Sequence, residues 1–479
     1  MRTENTQYLT PSGIEGLDEL LCGGLPKGGL VVLAGNPGTG KTIFSAQFLY
    51  RGAVDHGERG LYVSFAEGKE VFYRNMKGLG FDFDRLEREG LFSFLDMLTV
   101  KEEGVSAALE LIVGRVAELG AERLVIDSFS AMAQAFREPH EARIVLHTIL
   151  SKIVRSMGCT TLLVIEVPHG ESRIGLGVEE FVADGIIVLK RRLFDDRPLR
   201  ELEVLKMRGS PTPRVHVVFT LKDGFRVLLE FKPKPVEKPG RFKPRPDPEG
   251  YFSSGSPDVD EMLGGGYPRG STVLFEVGEG VSPEHYHLFG YPTVWNFLAH
   301  GRGVIVVPSA GVDHALIKKR ALTGGFTEEE VYRLLRVHTR YRPRAAEPYV
   351  VALKGEDPFE DFEERLKLAQ ELMERTGQPV LNINGVDMLI DAYGSARALT
   401  YLKACATRAR ETGGLCAIIL KPGYPRLASI LSSMADVHLR FARRHRVVLV
   451  YGVRPATNLY ALEMDASEGY PMPKLTQII

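Results

Sequence analysis

GNPGTGKT, residues 35–42, stands between an apolar run, LVVLA (30–34), and an amphipathic stretch, TIFSAQFLYRGAVD (42–55). It matches G-x-x-x-x-G-K-[ST] at every fixed position, and the strand–loop–helix setting gives the motif its meaning. Gly38 and Gly40 let the backbone turn its N–H groups toward an anion where a Cβ would intrude. A helix opening near Thr42 aims its positive dipole end at the same point. Lys41 is the expected contact to the β- and γ-phosphates of a nucleotide, and the Thr42 hydroxyl an expected Mg²⁺ ligand. Gly35, Asn36, Pro37, Thr39 and Ile43 complete the expected nucleotide-binding segment. The competing reading is a plain strand–turn–helix junction.

Around this loop the first half alternates buried-strand runs with helical ones. LYVSF (61–65), RLVIDS (123–128), TLLVIE (161–166) and GIIVL (185–189) read as strands. VSAALELIVGRVAEL (105–119) and EARIVLHTILSKIVRSM (141–157) carry helical apolar spacing. That alternation predicts an α/β fold, a mostly parallel sheet flanked by helices. RELEVLKMRG, TPRVHVVFTL and FRVLLEF follow without helices and predict an antiparallel extension at one edge.

Three further sites carry chemistry in this reading. Asp127 ends an apolar strand beside the loop, where a carboxylate can hold Mg²⁺; capping the next turn is its alternative role. Glu67, just past LYVSF, is the candidate to polarise an attacking water, and with Lys41 it forms the catalytic pair. Glu70 is its rival as a loop carboxylate. Lys206 and Arg208 stand two apart on a predicted strand and share a face, either as cations reaching a neighbour's phosphate or as a charged edge.

Residues 231–250, FKPKPVEKPGRFKPRPDPEG, are dense in proline and read as an extended linker between residues 1–230 and 251–479. The halves resemble one another at a constant offset of 242 (254 minus 12). SGIEGLDELLCGGLPKGG from Ser12 matches SGSPDVDEMLGGGYPRGS from Ser254 at Ser-Gly, Asp-Glu, a Gly pair, Pro26/Pro268 and Gly28/Gly270, which indicates duplication.

Composition narrows the classes. The chain has 479 residues, and its 60 Lys plus Arg nearly balance 61 Asp plus Glu, so net charge points to neither nucleic acid nor membrane. Four cysteines occur without metal spacing, which reads as buried reduced thiols. No apolar run reaches membrane-spanning length, and MRTENTQYLTPSG lacks the apolar core of a signal peptide. The expectation is a cytoplasmic protein.

From about Ser12 to Phe231 the chain resembles the KaiC-like branch of the RecA superfamily. The likeness rests on GLDELLCGGLPKG, GNPGTGKT followed by IFSAQFLYRG, VIDS, GVEEFVADGIIVL and LKMRG. The resemblance implies a RecA-like core, ATP with Mg²⁺, and a ring or filament with the site between protomers. It implies that Lys41 and Thr42 bind phosphate and metal, that Asp127 is the Walker B acid, and that Lys206 and Arg208 act in trans. Two features depart from the family. A pair of glutamates is replaced by Ala66-Glu67, so slow hydrolysis is expected. A histidine after LKMRG is replaced by Thr212.

In the second half the offset brings Gly38 onto Gly280, Lys41 onto Pro283 and Thr42 onto Glu284. Glu279 adds further negative charge, and VLNIN (380–384) set against LVID puts Asn384 where Asp127 stands. A RecA-like domain without Walker A lysine or Walker B aspartate is expected there, holding no ATP. An active domain followed by a degenerate one resembles archaeal KaiC-like proteins and the gas-vesicle regulator GvpD more than circadian KaiC. ARRHRVV (442–448) and RLLRVHTRYRPR (333–344) read as solvated basic faces. The functions weighed are a regulatory ATPase with a protein partner on its second domain, a nucleotide-sensing scaffold or transcription regulator, and a recombinase-like DNA-dependent ATPase. The loops SFSAMAQAFREPHEAR and VPHGESRIGLG hold few cations, which argues against nucleic acid.

Overall fold

A computed structural model describes residues 8–97, 105–133, 144–147, 149–170, 182–210, 215–340, 347–355 and 357–479. The chain divides into two compact units, Met1–Leu229 with Ile478–Ile479, and Glu230–Gln477. Among the described residues no helix is long and apolar enough to cross a membrane.

The first unit is built on a nine-stranded sheet. Its strands are β1 Leu30–Gly35, β2 Gly60–Ser64, β3 Phe92–Asp96, β4 Arg123–Asp127, β5 Thr160–Glu166, β6 Gly185–Phe194, β7 Arg197–Met207, β8 Val215–Thr220 and β9 Arg226–Leu228. Their order is β9-β8-β7-β6-β1-β5-β4-β2-β3. Strands β6 to β3 in that order pair in parallel, and β7, β8 and β9 extend the edge antiparallel. The parallel core is buried on both faces, so its strands are continuous apolar runs. In β1, Val31 and Leu33 pack under the helix α1 (Lys41–His56), while Leu30, Val32 and Ala34 face the opposite layer. Strand β3, with the sequence FSFLD, is an edge strand absent from the sequence expectation. Of the helix predicted over 141–157, Ile149–Ser156 is wound as a π-helix and 141–143 and 148 lie outside the described residues.

The second unit repeats the plan. Its strands are β10 Thr272–Val277, β11 Val304–Val307, β12 Leu335–Thr339, β13 Val350–Ala352, β14 Leu381–Gly385, β15 Leu415–Leu420, β16 Val437–Arg444, β17 Val447–Arg454, β18 Tyr460–Asp465 and β19 Met472–Gln477. They run β13-β12-β11-β14-β15-β10-β16-β17-β18-β19. The central order matches that of the first unit, with β10 for β1 and the helix α2 (Pro283–Ala299) for α1. One local device also recurs at the same offset. The Ser12 amide donates to Asp18 Oδ1 at 2.8 Å, and the Ser254 amide to Asp260 Oδ1 at 2.7 Å, each fixing the turn before a short helix.

Some segments differ from the sequence reading. The Pro-rich stretch 231–250 is without regular structure but lies within the second unit. Phe242 is buried there and its amide donates to Gly324 O at 2.8 Å, while Asp247 accepts from Arg302 at 2.6 Å and Arg269 at 2.9 Å. The stretch 333–344 is not a solvated face throughout. It contains β12, where Val337 and His338 are buried, and 341–344 fall outside the described residues. In ARRHRVV, His445 and Arg446 form the left-handed turn between β16 and β17, with φ of 46° and 70°. Cys159, Cys405 and Cys416 are buried free thiols, whereas Cys22 is exposed at a left-handed turn.

Candidate functional site

The loop between β1 and α1 is shaped by its glycines. A Cβ on Gly35 would meet Leu189 O at 2.6 Å and Thr39 Oγ1 at 2.8 Å. Gly38 and Gly40 adopt φ of 75° and 100°, in the left-handed region that side chains avoid. A Cβ on Gly38 would meet nothing within 4 Å, so the loop leaves open space over this glycine. The Thr39 hydroxyl donates to Asn36 O at 2.8 Å, and Asn36 Nδ2 ties the loop to the end of β5 through Val167 O at 2.8 Å. Pro37 and Ile43 lie within the same segment, before and inside the first turn of α1.

Lys41 opens the helix and folds back over the loop, its Nζ donating to Gly35 O at 2.8 Å and Asn36 O at 3.0 Å. Burial pushes its ammonium below the ordinary lysine value, and the carboxylates of Glu166 and Asp127 oppose that shift. Asp127 ends β4, paired in the ladder with Ser64 of β2. Its Oδ2 accepts from Thr42 Oγ1 at 3.1 Å and from the Tyr62 hydroxyl at 2.5 Å. Burial raises the Asp127 carboxyl above its usual range, and the bonds from Tyr62 and Thr42 pull it back. Tyr62 is buried, and burial followed by the Asp127 charge holds its hydroxyl protonated.

Glu67 lies half-buried past β2. The Ser64 hydroxyl donates to Glu67 O at 2.6 Å and accepts from the Glu67 amide at 3.1 Å, which pins the turn. Burial, then the Asp127 charge, raises the Glu67 carboxyl. Glu70 is exposed in the first turn of the helix Lys69–Lys77. The two carboxylates thus differ in setting: Glu67 is half-buried and feels the Asp127 charge, and Glu70 is exposed on the following helix.

Lys206 and Arg208 sit elsewhere. Lys206 pairs with Ile186, which pairs with Val32, so Lys206 lies at the level of the lower half of β1. At about 3.3 Å per residue that is roughly 10 Å below the loop. Arg208 follows the end of β7, and its Nη1 bonds Asp184 Oδ1 at 2.9 Å. Thr212 and residues 177–181 of GVEEFVADGIIVL lie outside the described residues, as do 134–143 and 171–177 of the two candidate DNA loops.

Sequence reasoning missed three groups. Tyr62 reads as one more core residue in LYVSF. Glu166 ends β5 just as Asp127 ends β4, and that parallel was a usable signal. Arg200, on the antiparallel edge, donates to Gly38 O at 3.0 Å and carried no motif.

The set is chemically coherent. An open left-handed glycine cradle, a helix N-terminus and a buried ammonium suit a polyanion. A hydroxyl and a carboxylate 3.1 Å apart suit a hard divalent cation such as Mg²⁺, whose remaining ligands are waters and phosphate oxygens. The residues present fit both groups.

The matching loop in the second unit keeps the left-handed glycine but not the helix start, where Ser282 is extended at φ −83° and Gly40 left-handed at φ 100°. Gly280 has φ 75°, the value found at Gly38, and α2 begins at Pro283 as α1 begins at Lys41. Ser282 and His285 form a reciprocal capping box, with the Ser282 amide donating to His285 Nδ1 at 3.0 Å, so the helix start is closed by the chain's own side chains. The ladders also correct one correspondence. Leu30 pairs with Thr161 and Thr272 with Cys416; Leu124 pairs with Thr161 and Asn382 with Cys416. Counting along β4 and β14, Asp127 falls opposite Gly385, and Asn384 matches Ile126. Asn384 is buried on the far face, where its Oδ1 accepts from Arg365 at 2.8 Å. A one-residue slip reverses the face of every side chain, and matching the strings alone had made that slip.

Comparison with known proteins agrees with this geometry. A family model for the KaiC ATPase matches residues 10–230, and a model for GvpD basic region 2 matches residues 241–323. The circadian clock protein KaiC3 of Synechocystis sp. is 31% identical over 280 residues, 56% of this chain and 54% of the relative. The circadian clock oscillator protein KaiC of Synechococcus elongatus is 32% identical over 271 residues, 54% of this chain and 50% of the relative. The chain thus spans about half the length of these curated relatives. A solved KaiC-like protein of Pyrococcus horikoshii OT3 is 37% identical, covers 46% of this chain and 99% of its own, and superposes with a TM-score of 0.42. With the glycine cradle, Lys41, Thr42 and Asp127 gathered on a RecA-like sheet inside the matched region, the chain belongs to the KaiC-like ATPases, a KaiC domain at 10–230 being followed by a region of GvpD type.

Proposed function

We propose that the first unit, residues 1–230, binds ATP with Mg²⁺ and hydrolyses it slowly, and that the protein acts as an oligomeric regulatory ATPase. Residues 251–479, with the stretch 231–250 docked against them, form a degenerate RecA-like domain that offers a surface to a protein partner. The observation that carries the reading is the Thr42–Asp127–Tyr62 cluster at the mouth of the loop. When bound, ATP supplies the reacting γ-phosphoryl group and Mg²⁺ the charge that draws its oxygens together. Gly35 to Gly40 hold the phosphates by backbone amides, with Asn36 anchoring the loop, and Lys41 leaves its loop carbonyls to meet the anion. Thr42 and Asp127 would hold the metal, and Tyr62 holds the Asp127 carboxylate in place. Glu67, pinned by Ser64, takes the proton of the attacking water.

Lys206 and Arg208 lie too far down the sheet to reach their own loop, which supports a role against the nucleotide of a neighbouring protomer in a ring or filament. Arg208 would first release Asp184. The capping box at Ser282 and the glycine opposite Asp127 support a second domain without nucleotide. A nucleotide-sensing scaffold with negligible turnover is the second reading, favoured by the single Glu67 where the family pairs glutamates. Native mass spectrometry with ATP and Mg²⁺ tests the proposal. One nucleotide per chain, lost in Lys41→Ala, is expected; none in the wild type refutes it, and two refute the degenerate second domain. Turnover of wild type against Glu67→Gln separates the two readings.

A further inference from the structure

The same alignment of sheets and helices exposes a difference inside the second unit. On the face beneath α1, Phe48, Tyr62 and Leu162 are fully buried and fill the layer. The offset through α2 places Gly290 at the position of Phe48. The ladders place Val306 at Tyr62 and Ala417 at Leu162. All three changes are from large to small on one face. Leu33→Phe275 and Leu49→Tyr291, read across the same offset, return part of the volume.

What remains is a partly open cavity of about 80 Å³, walled by Gly290, Val306 and Ala417 with Phe275, Ile383 and Ile419. One water needs roughly 10–15 Å³ on this measure, so the space takes several waters or one small ring. No Asp, Glu, Lys or Arg lines it. Four lining groups are nonetheless polar and deeply buried and close no well-formed hydrogen bond: the Tyr267 hydroxyl, which lies beside Thr293, the Tyr286 hydroxyl, His287 Nδ1 and Ser309 Oγ. Tyr286 and Ser309 lie near one another without closing a bond, and the rings of Tyr286 and His287 meet edge to face at 4.6 Å. Burial pushes His287 down to about 3, so its ring is neutral. The large majority of buried polar side-chain atoms in native structures are paired, and four without a well-formed bond around one cavity leave room for an occupant that pairs with them.

We propose that this cavity is a binding site for a small uncharged molecule, mainly apolar, whose hydroxyl or similar group bonds at the Tyr286–His287–Ser309 cluster. The wall itself carries no charged side chain, which favours an uncharged occupant. The site stands where the first unit has solid core, and it does not depend on the nucleotide reading of that unit.

The test uses the full chain with p-cresol as probe and toluene as its apolar control, read by saturation-transfer NMR. Saturable p-cresol binding is expected, with toluene weaker. Gly290→Phe restores the residue of the first unit at a position where a Cβ meets nothing within 4 Å. It should weaken p-cresol at least tenfold while leaving the folded far-ultraviolet spectrum and binding of ATP unchanged. Ala417→Leu serves as an independent filling variant if Gly290→Phe fails to fold. No saturable binding of either probe, or binding undiminished in a folded filling variant, would overturn the site. Toluene equal to or tighter than p-cresol would overturn the role of the polar atoms.

Discussion

Tyr62→Phe removes one hydroxyl and nothing else, and its effect follows from the buried carboxylate it serves. The Tyr62 hydroxyl donates to Asp127 Oδ2 at 2.5 Å, and Asp127 is left with Thr42 alone when that donor goes. A hydrogen bond to a charged group contributes about 1.5–3 kcal/mol, and the loss is at the upper end where no water replaces the donor. Tyr62 has no exposed surface, so about 2–3 kcal/mol is expected at pH 7 without nucleotide. The sign with pH is fixed. Asp127 has its folded pKa raised by burial, and the Tyr62 bond lowers it. Removing the bond raises it further, so the cost is full where Asp127 is ionised and fades as pH falls through its raised value. Urea unfolding of the full chain, following the transition that ATP and Mg²⁺ shift, should show the full loss at pH 7 and a smaller one once acid has protonated Asp127. In an Asp127→Asn background the substitution should cost under about 1 kcal/mol, since only a neutral bond remains. An equal loss at pH 7 and in acid, or an equal loss in the Asn background, would refute the assignment of the energy to the ionised pair.

Other consequences are equally direct. Gly35→Ala forces a Cβ to within 2.6 Å of Leu189 O, so a loss of about 2 kcal/mol or more in first-unit stability is expected by the same denaturation. Glu67→Gln should lower ATP turnover at least tenfold with affinity changed less than threefold. Wild-type turnover should fall with acid through a pKa above the ordinary glutamate value, because burial and Asp127 raise that of Glu67. Gly290→Ala, in mid-helix with open space at its Cβ, should stabilise the second unit by about 1 kcal/mol in a thermal melt. Phe242→Ala should destabilise the second unit by about 3–5 kcal/mol, a check that the Pro-rich stretch is part of its core.

The loop and the sheet that carries it were legible because both depend on local rules. Glycines at fixed spacing, a lysine at the helix start and an acid ending an apolar strand are each visible in a short string. The structure brings Lys41, Thr42 and Asp127 within one cluster on that basis. Tyr62 was not legible, since a tyrosine in LYVSF is indistinguishable from packing until the fold brings its hydroxyl from β2 to Asp127 on β4. The slip between Asn384 and Gly385 has the same origin. A short strand matched by letters alone leaves the register free by one, and only cross-strand partners fix it. In 231–250, proline density pointed to a linker, whereas the stretch docks on the second unit because Phe242 and Asp247 find partners far along the sequence. FSFLD escaped notice because a five-residue edge strand has too little pattern to rise above a loop.

Gly385 has a consequence for any attempt to build a nucleotide site into the second unit. A Cβ there would stand 2.6 Å from both Pro308 O and Ser309 N, backbone atoms that cannot rotate aside. A lysine at 283 and a threonine at 284 are changes at the start of α2, one position part-buried and the other exposed. An aspartate at 385 is a change of another kind, because its side chain needs room that the chain just past β11 occupies. Three side-chain replacements therefore fall short unless the backbone at 308–309 moves as well.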